Sequence, residues 1–333
     1  MPTTMRNNNS AIEAVVDRVA VMRYQEETSY ALKSYLPSDS SQNLNVAWRE
    51  KICHWSYNVV DHFDLSREVV AISLSLFDRF LATRNNECNG NLALLTSLTT
   101  LHLAIKIHDS KKIRISTLAN LSRGQFGASD IEDMEWRVLR DLKWKVHPPT
   151  AYSFVYQILL FLPQEASSSV RKEIFELSRY LTELTVCDSY FVDANQSCIA
   201  FAAILNVLED IPYNRLSAGI RECFLRDLGS KASLHYGSPD VAVARQRITA
   251  MFASDSMLEN KLELIDSQGS VGSGRSSSVE SLGRSFRRAR ANSGDSKGSA
   301  SRCSPSSRRR IAVASPSNHQ QRRMQSSPIV AKP

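Results

Sequence analysis

The sequence predicts an all-α protein built from two tandem copies of a five-helix module. Three features predict it. The stretch Leu92–Ile107, LALLTSLTTLHLAIKI, carries no charged side chain before Lys106. It is long enough for about four helical turns, and a helix apolar all round is buried among other elements rather than laid on a surface. Apolar residues elsewhere recur at i, i+3 and i+4, and no segment alternates as a strand would. The order of helices around a near-uncharged one then recurs in the second half, where Cys198–Leu208 takes the corresponding place.

Taken in order, residues 1–10 lack apolar patterning and read as disordered. Ala11–Tyr35 has helical spacing at Ile12, Val15, Val16 and Val19 and stops at the breaker Leu36-Pro37. The polar segment Pro37–Asn45 is a linker. A helix over Val46–Phe63 aligns Ile52, Trp55 and Val59, and Ser66 is placed to cap the next, with Val69, Ile72, Leu76 and Phe80 on one side. Asn89-Gly90-Asn91 supplies turn and cap residues for the central helix. A short helix over Thr117–Ser122 closes at Gly124. Ser129-Asp130-Ile131-Glu132 has the form of a capping box, opening a helix through Met134, Val138 and Leu142. His147-Pro148-Pro149 ends the module.

Thr150 restarts the pattern as a cap, with Phe154, Ile158 and Phe161 on one face up to Pro163. Val170, Ile174, Leu177, Leu181 and Leu184 keep amphipathic spacing. Asn195-Gln196-Ser197 resembles a cap before the second apolar helix, and two further helices fit Asn214–Leu228 and Pro239–Phe252. The expected organisation is therefore an N-terminal helix and linker over residues 1–45, modules over 46–150 and 151–254, and a tail over 255–333. At 333 residues each module is large enough to bury its own core.

The charge is unevenly spread. From Asp266 onward 13 Lys and Arg face 3 Asp and Glu, a formal +10 within a chain of +7, so the preceding residues sum to −3. The basic character belongs to the Ser-, Gly- and Arg-rich tail, which offers too few large apolar residues to offset ordering entropy. Tail arginines without interleaved aromatics are a weak nucleic-acid signal, so direct binding of nucleic acid is not favoured. No apolar signal region opens the chain, and the runs Val155–Leu162 and Ile199–Leu208 are too short to span a bilayer. The six cysteines form no C-x-x-C pair, so a soluble intracellular protein with reduced thiols is expected.

Nothing in the sequence supplies catalysis, a metal site or a cofactor site. Gly269, Gly272 and Gly274 lack the preceding strand and the G-K-[ST] of a phosphate loop. His54, His62, His102 and His108 have no paired ligand spacing and read as ordinary helix histidines. Four helical charges stand out: Arg49 in AWREKICHW, Asp78 in LFDRFL, Lys106 in LAIKIHD and Glu135 in DMEWRVLRDLKW. Singly, each reads as a solvated helix charge. Lys106, at the end of a buried helix, calls for a partner because an unpaired buried charge is expensive.

Together these segments resemble the cyclin family. The resemblance lies in WREKICHW, SLSLFDRFL, LHLAIKIHD, LANLSRGQF and MEWRVLRDLKWKVHPPT leading into Phe154. It covers Val46–Thr150, and pattern alone extends it over Ala151–Ser254. The details are nearer to D-type than to mitotic cyclins, although neither an R-x-x-L destruction box nor the L-x-C-x-E motif is present, which leaves the subtype open. The resemblance implies two cyclin boxes and a regulatory subunit, not itself an enzyme, that binds and activates a cyclin-dependent serine/threonine kinase in cell-cycle control. It places Lys106 and Glu135 on the kinase and makes Arg49 and Asp78 a buried pair joining the first two box helices. The alternative is a cyclin-fold scaffold or transcription-associated protein that activates no kinase.

Many cyclins recruit substrates through a groove spelt M-R-A-I-L…W on the first box helix. Here Trp48 replaces the methionine, Lys51 the isoleucine and Asn58 a downstream acid, while Ile52 and Trp55 remain, which implies a weakened groove over Trp48, Ile52 and Trp55. The tail carries Ser-Pro pairs at Ser304, Ser315 and Ser327 beside arginine clusters. Those clusters suit a nuclear import receptor, and phosphorylation beside them adds opposing charge. The expected location is the nucleus, with a cytoplasmic share. A chain ending at Asp266 is expected to lose nuclear enrichment in cells depleted of its kinase; unchanged enrichment would remove the import role.

Overall fold

The computed structural model describes residues 3–32, 35–36, 46–84 and 89–266. All regular structure among them is helical, as the periodicity requires. The linker 37–45, the tail beyond Asp266 and Ser304, Ser315 and Ser327 lie outside the described residues.

Helix α1 spans Thr3–Glu27, so it begins within the segment expected to be disordered and ends eight residues before Tyr35. Its end is local chemistry rather than the later proline. The Thr28 hydroxyl donates to Tyr24 O, and Tyr30 N–H reaches back to Gln25 O at 2.9 Å, turning the chain off the helix axis.

The first module comprises α2 (Val46–His62), α3 (Glu68–Ala82), α4 (Gly90–His108), α5 (Ile115–Leu121) and α6 (Ala128–Asp141). Asn89 Oδ1 accepts from Leu92 N–H at 2.8 Å and caps α4. Two expected caps differ. Ser66 does not cap α3; its own N–H donates to Asp109 Oδ2, pinning the start of α3 to the end of α4. The box before α6 is shifted by two residues, with Asp130 accepting from Gly127 N–H. Leu76, Phe77, Phe80, Leu101, Ile105 and Val138 form the centre of this module's core.

The second module comprises α7 (Ala151–Leu159), α8 (Ser168–Cys187), α9 (Gln196–Asp210), α10 (Ala218–Lys231) and α11 (Pro239–Asp266), with a 3₁₀ turn at Ser189–Phe191. Thr150 and Ser167 cap α7 and α8 through their hydroxyls. The helix α11 runs past residue 254, where the second module was expected to stop. Val19 of α1 is buried among Phe154, Ile174, Phe201 and Phe224, so the N-terminal helix packs into this second core. Asn195 makes no side-chain cap for α9. The carboxylate of Glu26 does that work, accepting from Ser197 N–H at 2.9 Å and from the Ser197 hydroxyl.

The modules meet along α2 and α8. Arg49 Nε and Nη2 donate to the two carboxylate oxygens of Asp78 at 3.0 and 2.9 Å, with side-chain exposures of 5% and 4%. Arg49 Nη1 donates to Val186 O at 2.9 Å, and Tyr35 Oη donates to Asp78 Oδ1 at 2.8 Å. One buried ion pair thereby joins α2, α3, the approach to α2 and the end of α8. Breaking such a pair leaves an uncompensated charge in the interior. Arg49→Ala is expected to lower the unfolding free energy by about 3–5 kcal/mol, measured by urea denaturation. A loss under about 1 kcal/mol would be that of an exposed pair.

Candidate functional site

The last turn of α4 returns to the surface. There Lys106 Nζ donates to Glu135 Oε1 on α6 at 2.6 Å, with side-chain exposures of 54% and 13%. Lys106 is thus a surface cation with a partner on the neighbouring helix. Glu135 is the more covered partner, and its other oxygen lies 3.5 Å from His102 Nδ1. That distance makes a charge contact rather than a well-formed hydrogen bond. The contact with His102 and then Lys106 hold the Glu135 carboxyl below the usual carboxylate range, against the opposing effect of burial.

The turn after α4 is organised by its own side chains. Lys112 Nζ donates to Lys106 O at 2.9 Å and to Asp109 O, closing the carbonyl end of the helix with a cation. Asp109 is occupied by Ser66 N–H and Lys111 N–H, at 2.8 Å each. His108 Nε2 sits 2.9 Å from Val146 O, and burial pushes the His108 imidazole below its ordinary pKa. Lys111, Lys112 and Arg114 are exposed, giving the rim beside Lys106 a basic character.

Two tryptophans next to this pair escaped the sequence reading. Trp136 and Trp144 are 67% and 62% exposed and meet edge to face with ring centroids 6.0 Å apart. Trp144 follows Lys143 in a left-handed turn, with φ of 60° and 53°. That conformation is uncommon for a bulky residue. It is fixed here by Trp144 N–H donating to Leu139 O at 2.9 Å and Lys143 N–H to Arg140 O at 3.0 Å. A signal existed: Trp136 falls on the polar face of α6, where an amphipathic helix has no use for an indole. The result is a cation–carboxylate pair beside a large apolar surface.

The three groove residues, at i, i+4 and i+7 of α2, differ in burial. Ile52 is 6% exposed and belongs to the core; Trp55 packs half-buried against it. Trp48 lies over Gly90 at the start of α4, its ring 3.6 Å from where a Cβ on that glycine would stand. Lys51 and Asn58 are exposed. Among the described residues no helix is long and apolar enough to cross a membrane, and no His, Cys, Asp and Glu cluster is arranged to hold a metal.

The family model for the cyclin N-terminal domain matches residues 17–147, and that for the cyclin C-terminal domain matches residues 149–218. Cyclin-D3-3 of Arabidopsis thaliana is 30% identical over 173 residues, covering 50% of this chain and 46% of that protein. G2/mitotic-specific cyclin-2 of Medicago sativa is 26% identical over 198 residues, 60% of this chain and 57% of the relative. The chain spans about half the length of the curated relatives it matches. In fold it is similar to a viral cyclin from herpesvirus saimiri, with a TM-score of 0.53, 17% identity, and coverage of 71% of this chain and 97% of the other.

Proposed function

The chain belongs to the cyclin family, and on that premise we propose that it is the regulatory subunit that binds and activates a cyclin-dependent serine/threonine kinase in cell-cycle control. The observation that carries this is the exposed Lys106–Glu135 pair flanked by Trp136 and Trp144. Protein interfaces are anchored by aromatic residues and by charged groups desolvated at their centre. A helix of a kinase laid on this face would cover both indoles and take hydrogen bonds from the pair. Members of this family are regulatory subunits, and catalysis is left to the kinase.

A kinase of this class transfers phosphate only when its β3 lysine is paired with the glutamate of its C helix and its activation loop is in place. A subunit that binds that arrangement alone shifts the population towards it, by as much as its affinities for the two states differ. Rigidity of the docking face matters for such a device. Here α4 is held on nearly every side, and the Trp144 turn is fixed by backbone bonds.

Replacing Lys106 and Glu135 together with alanine is expected to weaken binding to the co-purifying kinase by about 2–4 kcal/mol. Helical content by circular dichroism should stay the same, because α4 and α6 keep their apolar contacts. Normal kinase activation by the double variant would show that Lys106 and Glu135 do not carry the kinase contact, whereas no co-purifying kinase at all would favour the cyclin-fold scaffold.

Substrate choice through an R-x-L groove is weak in this reading. The groove works by burying an apolar peptide side chain and pairing the peptide's arginine with an acid. Trp48 occupies the space over Gly90, Ile52 is enclosed, Lys51 adds a cation, and Asn58 supplies no charge. The missing charge-assisted bond alone is worth about 1.5–3 kcal/mol. A labelled R-x-L peptide is expected to bind weaker than micromolar in a polarisation titration. Tighter binding that Trp55→Ala abolishes would mean the groove survives.

A further inference from the structure

Cys53 and Cys187 come from different modules, one in the middle of α2 and the other the last residue of α8. Their sulfurs are 2.7 Å apart across 134 residues of sequence. Both are free thiols. A disulfide needs about 2.05 Å between sulfurs, so a small side-chain movement separates this contact from a bond. We propose that Cys53 and Cys187 are a modification site, a reversible disulfide that a peroxide forms between the two modules.

The two thiols have different access and different chemistry, which assigns their roles. Cys53 is fully buried. Cys187 lines an open cleft of about 720 Å³ between α2, α8 and α11, bordered by His54, Tyr57, Arg67, Met251 and Asp255. Contact with Cys53 holds the Cys187 thiol below its ordinary pKa against its partial burial, and the guanidinium groups of Arg49 and Arg67 act in the same direction as that contact. Burial pushes the Cys53 thiol well up. The reactive form is the thiolate, so Cys187 attacks first and Cys53 resolves.

The chemistry balances with a hydroperoxide as oxidant. The Cys187 thiolate attacks one peroxide oxygen; an S–O bond forms, the O–O bond breaks, and the departing hydroxide takes up a proton as water. Cys53 sulfur then attacks the Cys187 sulfur of the sulfenic acid. The S–S bond forms, the S–O bond breaks, and the leaving hydroxide accepts the Cys53 proton. Two thiols lose two electrons, and hydrogen peroxide becomes two waters. Thiol exchange with a reductant restores both. Disulfides of this transient kind are the ones that reducing compartments tolerate.

The bond would fall beside the contact that already joins the modules, since Arg49 is one helical turn from Cys53 and Val186 precedes Cys187. Oxidation would make that joint covalent. Cys198 provides an internal control, because burial pushes its thiol up to about 11 and no second cysteine faces it among the described residues.

The test is a hydrogen peroxide pulse on the full chain, followed by alkylation and peptide mapping without reductant. The expected product is one dominant linked peptide joining Cys53 to Cys187, lost on adding dithiothreitol, with Cys198 alkylated. Cys187→Ser should abolish the link and leave Cys53 reduced. Cys53→Ala, which keeps the cleft side intact, should leave Cys187 as a sulfenic acid captured by a 1,3-diketone probe. Oxidised wild type should melt higher than reduced wild type, and Cys187→Ser should show no such shift. Alkylation of both cysteines after the pulse, links made mainly to other cysteines, or no probe capture in Cys53→Ala would each overturn the proposal.

Discussion

The joint between the two modules turns on the pairing of Arg49 with Asp78. Burial alone would lower the pKa of the guanidinium, but the charge and hydrogen bonds of Asp78 hold it above even its ordinary value. A buried ion pair stabilises little unless every remaining donor and acceptor is also satisfied. Here Arg49 spends its third nitrogen on Val186 O, and Asp78 takes a second bond from Tyr35. Satisfying the pair therefore recruits α8 and the approach to α2, and the geometry of two modules follows from an electrostatic requirement within one of them. Tyr57 repeats the connection, donating to Glu183 O at 3.1 Å while Arg67 sits 2.9 Å from the Glu183 carboxylate.

With α2 and α3 fixed, the middle of α4, from Thr96 to Ile105, is enclosed. That sets what most of its hydroxyls must do, although among the described residues Thr96 Oγ1 is left without a hydrogen-bond partner. Ser97, Thr99 and Thr100 are buried, and each returns its hydroxyl to a carbonyl three or four residues back. Ser73 on α3 adds a bond to Thr100 at 3.3 Å. Short hydroxyl side chains can satisfy themselves in this way, so they are tolerated in a dry helix where a longer polar group would be stranded. The same enclosure makes Lys106 informative. A cation at the first exposed position after that enclosed stretch, met by a carboxylate from α6, is positioned rather than merely solvated.

The sequence made some of this legible and hid the rest for a physical reason. Periodicity found nearly all the helices, because burial on one face leaves a 3.6-residue imprint whatever covers it. Singly, Arg49, Asp78, Lys106 and Glu135 read as solvated helix charges; the resemblance to cyclins marked them as two pairs, and the structure brings them together so. Helix boundaries fared worse. The Gly127 cap of α6 and the end of α1 at Glu27 are decided by short local bonds, from Asp130 to Gly127 N–H and from the Thr28 hydroxyl to Tyr24 O, that the apolar periodicity does not mark. Contacts between distant segments left no local trace: Glu26 with Ser197 across 171 residues, and Cys53 with Cys187, involve residue types that read as ordinary at each end. Trp136 left a trace as an indole on the polar face of α6, but only the structure shows it touching Trp144.

Glu26 shows what the N-terminal helix contributes. It and Asp78 line the same cavity of about 300 Å³ between α1 and the two modules, yet they solve the problem of a buried carboxylate differently. Asp78 has a full counter-charge. Glu26 has only the donors at the start of α9, and burial outweighs them, so its carboxyl is pushed above the usual range. Helix N-terminal N–H groups offer about half a unit of positive charge, spread over a turn, which compensates less than a guanidinium in direct contact. The helix α1 is therefore held by apolar packing of Val19 and its neighbours, with Glu26 fixing its register rather than supplying its affinity. That division is consistent across the fold: apolar surface supplies the adhesion, and each buried polar contact selects which residues face one another.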